Sequence, residues 1–402
     1  MTDPATPAVA RAATRVLVLC ALSAFAASSS VRVCDPMLPE LSRQFGVTMG
    51  EASHVVTWYV MAYGLLQFFY GPLGDRYGKY RMVTLATLLC AVGSLGAAFA
   101  QSFDALIGWR MVTGAFSAGI VPLSMAWIGD HVEYSQRQAT LARFLTGVIL
   151  GVAAGQLYGG FFTDTLGWRW AFVFLALVFL AAGTLMYLRR PAEPAAAPSG
   201  RRTGLLGPMR AVVRVSWARV VLATVTLEGA LVFGVMSFVP AYLQQRYGLA
   251  PTAAGAVVAV FALGGLGYVV VARRLVASMG ERGLAGSGGV VLAVAFLTYW
   301  LGPGWGWSIA ASLAVGFGYY LLHNTLQTHA TQMTPQVRGT AVSMFACCLF
   351  LGQALGVALV GLAVDRIGLE EVLVGAAIAL PAVGFSFVRA LGTRRAKSDP
   401  VN

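Results

Sequence analysis

The chain consists mainly of long apolar runs separated by short polar turns. Hydrophobic residues make up 58% of its 402 residues and charged residues only 11%, whereas soluble domains carry roughly 25% charged residues. A helix needs about 20 apolar residues to cross a hydrocarbon core of roughly 30 Å. Because that core holds no water to bond with backbone N–H and C=O groups, each crossing segment must form these hydrogen bonds internally, as a helix does. The pattern predicts an all-α integral membrane protein and excludes a soluble fold.

Twelve such runs can be identified along the sequence. They cover about residues 14–38, 50–71, 82–100, 104–127, 139–161, 169–188, 219–242, 252–274, 284–302, 306–328, 339–362 and 370–390. The first run follows Arg11 and Arg15 and could be mistaken for a secretion signal. Removing it would leave eleven helices and unbalance the charge distribution, so we interpret it as the first membrane span.

Basic residues are distributed unevenly between the two sides of such a bundle. With both termini on one side, 22 of the 28 Lys and Arg fall on that side, four fall on the other, and Arg32 and Arg110 lie inside spans. Cytoplasmic loops carry an excess of Lys and Arg. We therefore predict that both termini are cytoplasmic and that the protein lies in the cell (inner) membrane. Topology thus accounts for the net charge of +12, and we expect no nucleic-acid partner.

One long polar stretch divides the spans six and six. We predict an N-terminal six-helix bundle over residues 1–190, a cytoplasmic linker with a short surface helix over 191–218, and a C-terminal six-helix bundle over 219–402. Span 11 repeats span 5 at an offset of 201 residues. The matched pairs include Gly151 and Gly352, Gly155 and Gly356, Gly160 and Gly361, and Asp164 and Asp365. Such repeats predict two pseudo-symmetric bundles.

The turn between spans 2 and 3 carries the most distinctive motif. Residues 71–81 read Gly-Pro-Leu-Gly-Asp-Arg-Tyr-Gly-Lys-Tyr-Arg. This turn resembles the signature loop of the major facilitator superfamily, Gly-x-Leu-Ala-Asp-Arg-x-Gly-Arg-Arg. The resemblance implies the twelve-helix fold and alternating access. It also implies gating roles for Gly71, Asp75, Arg76, Gly78, Lys79 and Arg81. The carboxylate is expected to lie against the start of span 11, where the helix dipole favours negative charge.

Three further motifs resemble the drug and metabolite:proton antiporter branch of this superfamily. Arg110-x-x-x-Gly114 is similar to the span 4 motif that is tied to proton coupling. Residues 34–39, Cys-Asp-Pro-Met-Leu-Pro, resemble the acidic end of span 1 in proton-driven members. Residues 151–160 resemble the antiporter motif, with Gln156 in place of its proline. The glycines of this motif, Gly151, Gly155, Gly159 and Gly160, also have the spacing of a close helix contact.

Ionisable residues inside a membrane are costly and usually functional. We expect proton coupling to involve Asp35, Arg110, Glu228, Arg32 and Glu51. Asp35 and Arg110 could meet in the central cavity that spans 1 and 4 line in this superfamily, and a changing distance between them would change proton affinity. A static Arg32–Asp35 pair is the alternative. Glu228 has no countercharge among its sequence neighbours, so we expect it to be protonated or to face a wet cavity.

Span 10 presents polar side chains at helical spacing. Together with a tyrosine of span 2, these are expected to line a substrate cavity: Tyr319, Tyr320, His323, Asn324, Gln327 and Tyr63. No metal-ligand spacing, phosphate-binding loop or nucleophile motif occurs in the sequence. We therefore expect no metal, no cofactor beyond a proton gradient and no enzymatic activity.

These features predict a proton-coupled secondary transporter that exports a small amphipathic drug or metabolite. Uptake of a sugar, carboxylate or amino-acid-like solute by proton symport remains open, because the antiporter motif lacks its proline. The expected partners are a small-molecule substrate, protons and membrane lipid, and we expect a monomer.

Overall fold

A computed structural model describes residues 7–189 and 206–398, with side chains described over 16–189 and 207–394. Within these ranges the chain is helical and has no strand. The Pro/Ala-rich part of the expected linker, residues 191–198, lies outside the described residues. A short helix at Leu206–Arg214 precedes the second half. Its Val212 is buried against that half.

Twelve helical rods, α1–α12, run through the described residues. The first six are α1 (Pro7–Arg32, continued by Leu38–Phe45), α2 (Met49–Ala52 and His54–Tyr77), α3 (Lys79–Ala98), α4 (Phe103–Ser117 and Ile120–His131), α5 (Tyr134–Thr165) and α6 (Trp168–Leu188). The last six are α7 (Ser216–Glu228, continuing to Val239–Tyr247), α8 (Pro251–Ala259 and residues 261–279), α9 (residues 281–301), α10 (Gly306–Gln332), α11 (Arg338–Ile367) and α12 (Leu369–Ser398).

The rods have the length and composition of membrane spans. In the described part of the chain, 9 segments are long and apolar enough to cross a membrane, and one of them, Pro251–Leu301, has 51 residues. Gly280 divides that segment into α8 and α9 with a non-helical φ of 60°. Two more rods, α2 and α10, have 24 and 27 residues in their main segments but carry more polar side chains. The all-α membrane architecture expected from the sequence is thus confirmed.

Glycines let α5 pack backbone to backbone against α1. A Cβ at Gly151, Gly155 or Gly159 would collide with the carbonyl oxygens of Phe25, Ser29 or Val33, respectively. Small residues at such spacing permit the closest approach of two membrane helices.

The second half repeats this contact between α11 and α7. A Cβ at Gly352 or Gly356 would collide with the carbonyl oxygens of Thr226 or Ala230. Both partners of each contact are displaced by 201 residues from their counterparts in the first half. The sequence repeat is therefore also a repeat of three-dimensional packing.

The two halves are bonded together at one end of the bundle, which we call the Asp365 end. Asp365 accepts hydrogen bonds from Thr48 Oγ1 at 2.6 Å and from the Gly50 backbone N–H at 2.8 Å. The pseudo-symmetric bond runs from Thr252 Oγ1 to Asp164 Oδ2 at 2.8 Å. These bonds join α2 to α11 and α5 to α8.

The opposite end, which we call the Asp75 end, is bonded differently. Asp75 lies 3.7 Å from Lys79, and its side chain is 62% exposed. Lys79 also pairs with Asp130 of the same half. These ion pairs of the 71–81 turn lie inside the first half. The structure is thus bonded between the halves at the Asp365 end, whereas the ion pairs of Asp75 and Lys79 hold the first half alone.

Candidate substrate and proton site

The path of α1 places a carboxylate inside the bundle. The helix stops at Arg32 and turns through a short 3-10 segment, Asp35–Met37, because Pro36 lacks the N–H that would continue the helix. Asp35 is wholly buried. Its Oδ2 accepts a hydrogen bond from Gln156 Nε2 at 2.8 Å and lies 3.5 Å from Arg32 Nη1. Its Oδ1 has no partner among the described residues.

Arg32 connects this carboxylate to the other half of the protein. Its Nη1 also lies 3.3 Å from Ser237 Oγ of α7, and its guanidinium lies 4.6 Å from the centre of the Phe233 ring. Beside this contact, Gln244 Nε2 donates to the Pro36 carbonyl at 3.0 Å. Asp35, Arg32 and Ser237 therefore form a buried polar chain that crosses from one half to the other.

A pocket opens beside this chain, between α1 and α5 of one half and α7 and α8 of the other. Its polar walls are Arg32 and Gln156, and its apolar walls include Val152, Met236 and Phe261. The pocket has a volume of only about 20 Å³, roughly the space of one water molecule, so a small amphipathic molecule fits beside its polar corner only once the two halves have moved apart.

Arg110 does not meet Asp35, which corrects our expectation of a direct contact. It donates to the Ser30 carbonyl at 2.9 Å, to Ser30 Oγ at 3.1 Å and to the Val55 carbonyl at 3.2 Å, and it lies 4.0 Å from the centre of the Tyr59 ring. The end of the α1 helix leaves backbone carbonyls free, and one of these takes up the guanidinium. The Arg32–Asp35 pair is the one that forms.

Glu228 has a hydrogen-bond partner that its sequence neighbours do not reveal. His323 Nδ1 of α10 lies 2.8 Å from Glu228 Oε2, and both side chains are buried. The ring of Tyr319 stacks on that of His323 at 4.7 Å. The helix widens into a π-helical turn at Gly229–Phe233 immediately afterwards. A carboxylate and an imidazole thus share one buried hydrogen bond near the middle of the second half.

Glu51 is placed outside the buried cluster, contrary to expectation. Its Oε2 accepts from the Thr48 backbone N–H at 2.8 Å, while Thr48 Oγ1 accepts from the Glu51 N–H at 3.1 Å. This is the reciprocal capping box of a helix start. The side chain is exposed, and in this structure it caps the start of the helix.

The six expected cavity residues do not form one site. Tyr319 and His323 face Glu228, whereas Asn324 Nδ2 donates to the Tyr268 hydroxyl at 2.9 Å. Tyr320 links these two groups, because its ring packs on Tyr319 at 5.1 Å and stacks on Tyr268. The other two are separate: Tyr63 packs on Phe350 at 4.3 Å, and Gln327 is exposed. None of the six lines the pocket beside Arg32.

The expected gating residues cluster in the turn at the Asp75 end. Gly78 ends α2 with a φ of 92°, a conformation that favours glycine. Lys79 bridges Asp75 and Asp130, and Arg76 lies 5.1 Å from the centre of the Tyr77 ring. The remaining members are Gly71, which has open space around its Cα, and Arg81, which lies on the rim of a surface groove.

Sequence reasoning missed three contributors to the central site: Gln156, Phe233 and Ser237. The sequence already marked Gln156 as unusual, because it occupies the position at which the antiporter motif has proline. Ser237 and Phe233 gave none, since their role depends on the way α7 turns toward α1.

The family model described as Major Facilitator Superfamily matches residues 20–357. The chain belongs to the major facilitator superfamily. Its relatives include the uncharacterized MFS-type transporter YwfA of Bacillus subtilis, which is 26% identical over 85% of this chain and 83% of its own length. The family and fold are those of transporters, and the chain is a multi-pass membrane protein.

Other similarities within the superfamily are partial or structural. Efflux pump FUB11 of Gibberella fujikuroi is 29% identical over 35% of this chain and 24% of its own length. The chain spans only 43% and 25% of the lengths of two other relatives that it matches. A bacterial homologue of the human lysosomal transporter Spinster, inward-facing and unoccupied, superposes with a TM-score of 0.75 at 17% identity over 97% of this chain and 98% of that one. At that identity the likeness shows the fold alone.

Proposed function

We propose that this chain is a proton-coupled secondary transporter that exports a small amphipathic molecule across the cell membrane by alternating access. One observation carries the proposal: the wholly buried carboxylate of Asp35 belongs to a polar chain that crosses between the two halves. The efflux direction is supported by relatives such as Efflux pump FUB11.

Protonation of Asp35 is the step that links the proton to movement. A charged Asp35 attracts Arg32, whereas a protonated Asp35 leaves the guanidinium to Ser237 and to the pocket. Because Arg32 contacts both halves, adding or removing the proton changes the bonding across their interface. A ligand that binds two conformations unequally shifts the equilibrium between them, and here the proton is that ligand.

Uptake by proton symport is a second candidate, and the position of Arg32 favours it for one class of substrate. The guanidinium lines the pocket while Asp35 lies behind it. A substrate that bonds to Asp35 competes with the proton, so the two exchange. An anionic substrate that bonds to Arg32 is bound more tightly when Asp35 is protonated, so the two travel together.

The experiment is accumulation of dyes, antibiotics, sugars and organic acids in cells that carry the wild type or Asp35→Asn, with and without a protonophore. If the protein exports a compound, cells that carry the wild type should accumulate less of it. That reduction should disappear when the protonophore is added and when Asp35 is replaced by Asn. The matched control is Asp104→Asn, at an exposed acid in the first turn of α4, which should behave as the wild type. Higher, protonophore-sensitive accumulation would establish symport, and no difference for any compound would refute proton-coupled transport.

A further inference from the structure

A second cavity lies at the Asp75 end, within the second half and apart from the pocket beside Arg32. It has a volume of about 430 Å³ and opens between the start of α9 and the ends of α10 and α12. We call it the arginine pocket; the residues that line it include Glu281, Arg282, His329, Gln332, Leu391 and Arg394.

The charges of the arginine pocket are not balanced. Within the described part of the chain, neither Arg282 nor Arg394 has a carboxylate within ion-pair distance. Arg394 instead donates to His329 Nδ1 at 3.4 Å and lies 4.7 Å from the centre of the Trp217 ring. Among the described residues that line the pocket, Glu281 supplies the one carboxylate. Two guanidinium groups facing one acid leave an excess of positive charge.

The histidine supplies a further donor. A guanidinium has only donors, so Nδ1 of His329 must accept and the ring proton of the neutral imidazole is on Nε2. His329 is 6% exposed, and its Nε2 has no aligned hydrogen-bond partner among the described residues. Glu281 Oε2 lies 3.4 Å from it. Glu281 is thus a distant acceptor for the Nε2–H, and a ligand oxygen in the cavity at about 2.9 Å would satisfy that donor better.

The backbone adds to the positive electrostatic potential of the arginine pocket. The break at Gly280, with a φ of 60°, makes the following residues the start of α9, where free N–H groups and the helix dipole favour an anion. In the first half the corresponding turn follows Gly78, and there Lys79 is neutralised by Asp130. The position that repeats Asp130 at an offset of 201 residues is Thr331, so the second half lacks that acid.

We propose that the arginine pocket binds a phosphate group, carried either by an anionic phospholipid headgroup or by a free phosphate ester. Guanidinium groups bind phosphate oxygens through paired N–H donors, and His329 Nε2 provides a third point of contact. If the Asp75 end is cytoplasmic, as the distribution of basic residues predicts, this is the side on which basic pockets between helices hold anionic headgroups. Glu281 opposes binding and therefore tunes its strength.

The experiment uses the purified full chain in nanodiscs of phosphatidylcholine. Thermal unfolding is compared in these discs, in discs of equal parts phosphatidylcholine and phosphatidylglycerol, and in phosphatidylcholine discs with free glycerol phosphate. We expect a higher melting temperature with phosphatidylglycerol, with glycerol phosphate, or with both. That increase should disappear in Arg282→Gln/Arg394→Gln and grow in Glu281→Gln. Arg274→Gln, at an exposed arginine outside the pocket, is the matched control and should behave as the wild type.

The arms of this experiment separate the possible outcomes. A response to phosphatidylglycerol alone assigns the site to lipid, and a response to glycerol phosphate assigns it to a soluble ligand. An increase that persists in the double variant, or no increase with either ligand, overturns the proposal. If the double variant does not fold, the same test uses two single variants. The ligand-dependent increase in melting temperature should shrink in Arg282→Gln and grow in Glu281→Gln. None of these results depends on transport.

Discussion

Removing the carboxylate of Asp365 should open the end of the bundle that it holds closed. Asp365→Ala deletes the acceptor of two hydrogen bonds to α2, from Thr48 Oγ1 at 2.6 Å and from the Gly50 N–H at 2.8 Å. Both bonds join the two halves, and in alternating access both must break when this end opens. The substitution therefore raises the energy of the closed state and leaves the open state nearly unchanged.

The size of the effect follows from these two bonds. A hydrogen bond to a charged group contributes about 1.5–3 kcal/mol. Asp365 is exposed, so we take a smaller value of about 1 kcal/mol for each bond, or about 2 kcal/mol in all. Because about 1.4 kcal/mol corresponds to a factor of ten, the ratio of open to closed molecules should rise roughly 30-fold.

Single-molecule fluorescence transfer can measure this ratio. Labels at Arg43→Cys and Arg366→Cys, two exposed positions near this end on different halves, report its opening in a background without the native cysteines. The control is Asp164→Ala, which loses the single bond from Thr252 and should shift the ratio only about fivefold. An unchanged ratio for Asp365→Ala would refute the argument, as would a larger shift for the control.

Five further substitutions, including their controls, test the packing and the buried polar groups by thermal unfolding. Glu228→Leu leaves His323 without its partner and should lower the free energy of unfolding by about 1–3 kcal/mol, whereas Glu228→Gln keeps a hydrogen bond and should cost less. Arg110→Gln loses at least two of three buried hydrogen bonds and should cost about 2–4 kcal/mol. Gly155→Val forces α5 away from α1 and should cost about 1–3 kcal/mol, while Gly108→Val, with no neighbour within 4 Å, should cost far less. Equal losses at the two glycines would contradict the packing described here.

The fold could be predicted because its determinants are repeated along the chain. Apolar length identifies most rods directly, and the offset between Gly155 and Gly356 predicts that α5 and α11 have equivalent surroundings. The repeat could not predict which helix packs against the glycines of α5 and α11. Only the structure shows α1 and α7 in that place, because small-residue spacing indicates a close contact without naming the helix that makes it.

The site was less predictable, since its contacts join helices that are distant in sequence. Glu228 and His323 are 95 residues apart, and their pairing depends on how α7 and α10 are rotated about their axes. The same limit applies to Arg110, whose partners are carbonyls that have no sequence signature. Asp35 and Arg32 were accessible to prediction because they are only three positions apart in the sequence.

The most direct test of the central claim is the pH dependence of the open-to-closed ratio, measured with the same pair of labels and without any substrate. Protonation of Asp35 is proposed to change the bonding of Arg32 across the halves, so the wild-type ratio should change by about fivefold, or about 1 kcal/mol, between acidic and alkaline buffer. Asp35→Asn should make the ratio independent of pH, and Asp104→Asn should leave the wild-type response intact. If Asp35→Asn retains the full wild-type response, Asp35 is not the group that links the proton to the movement of the halves.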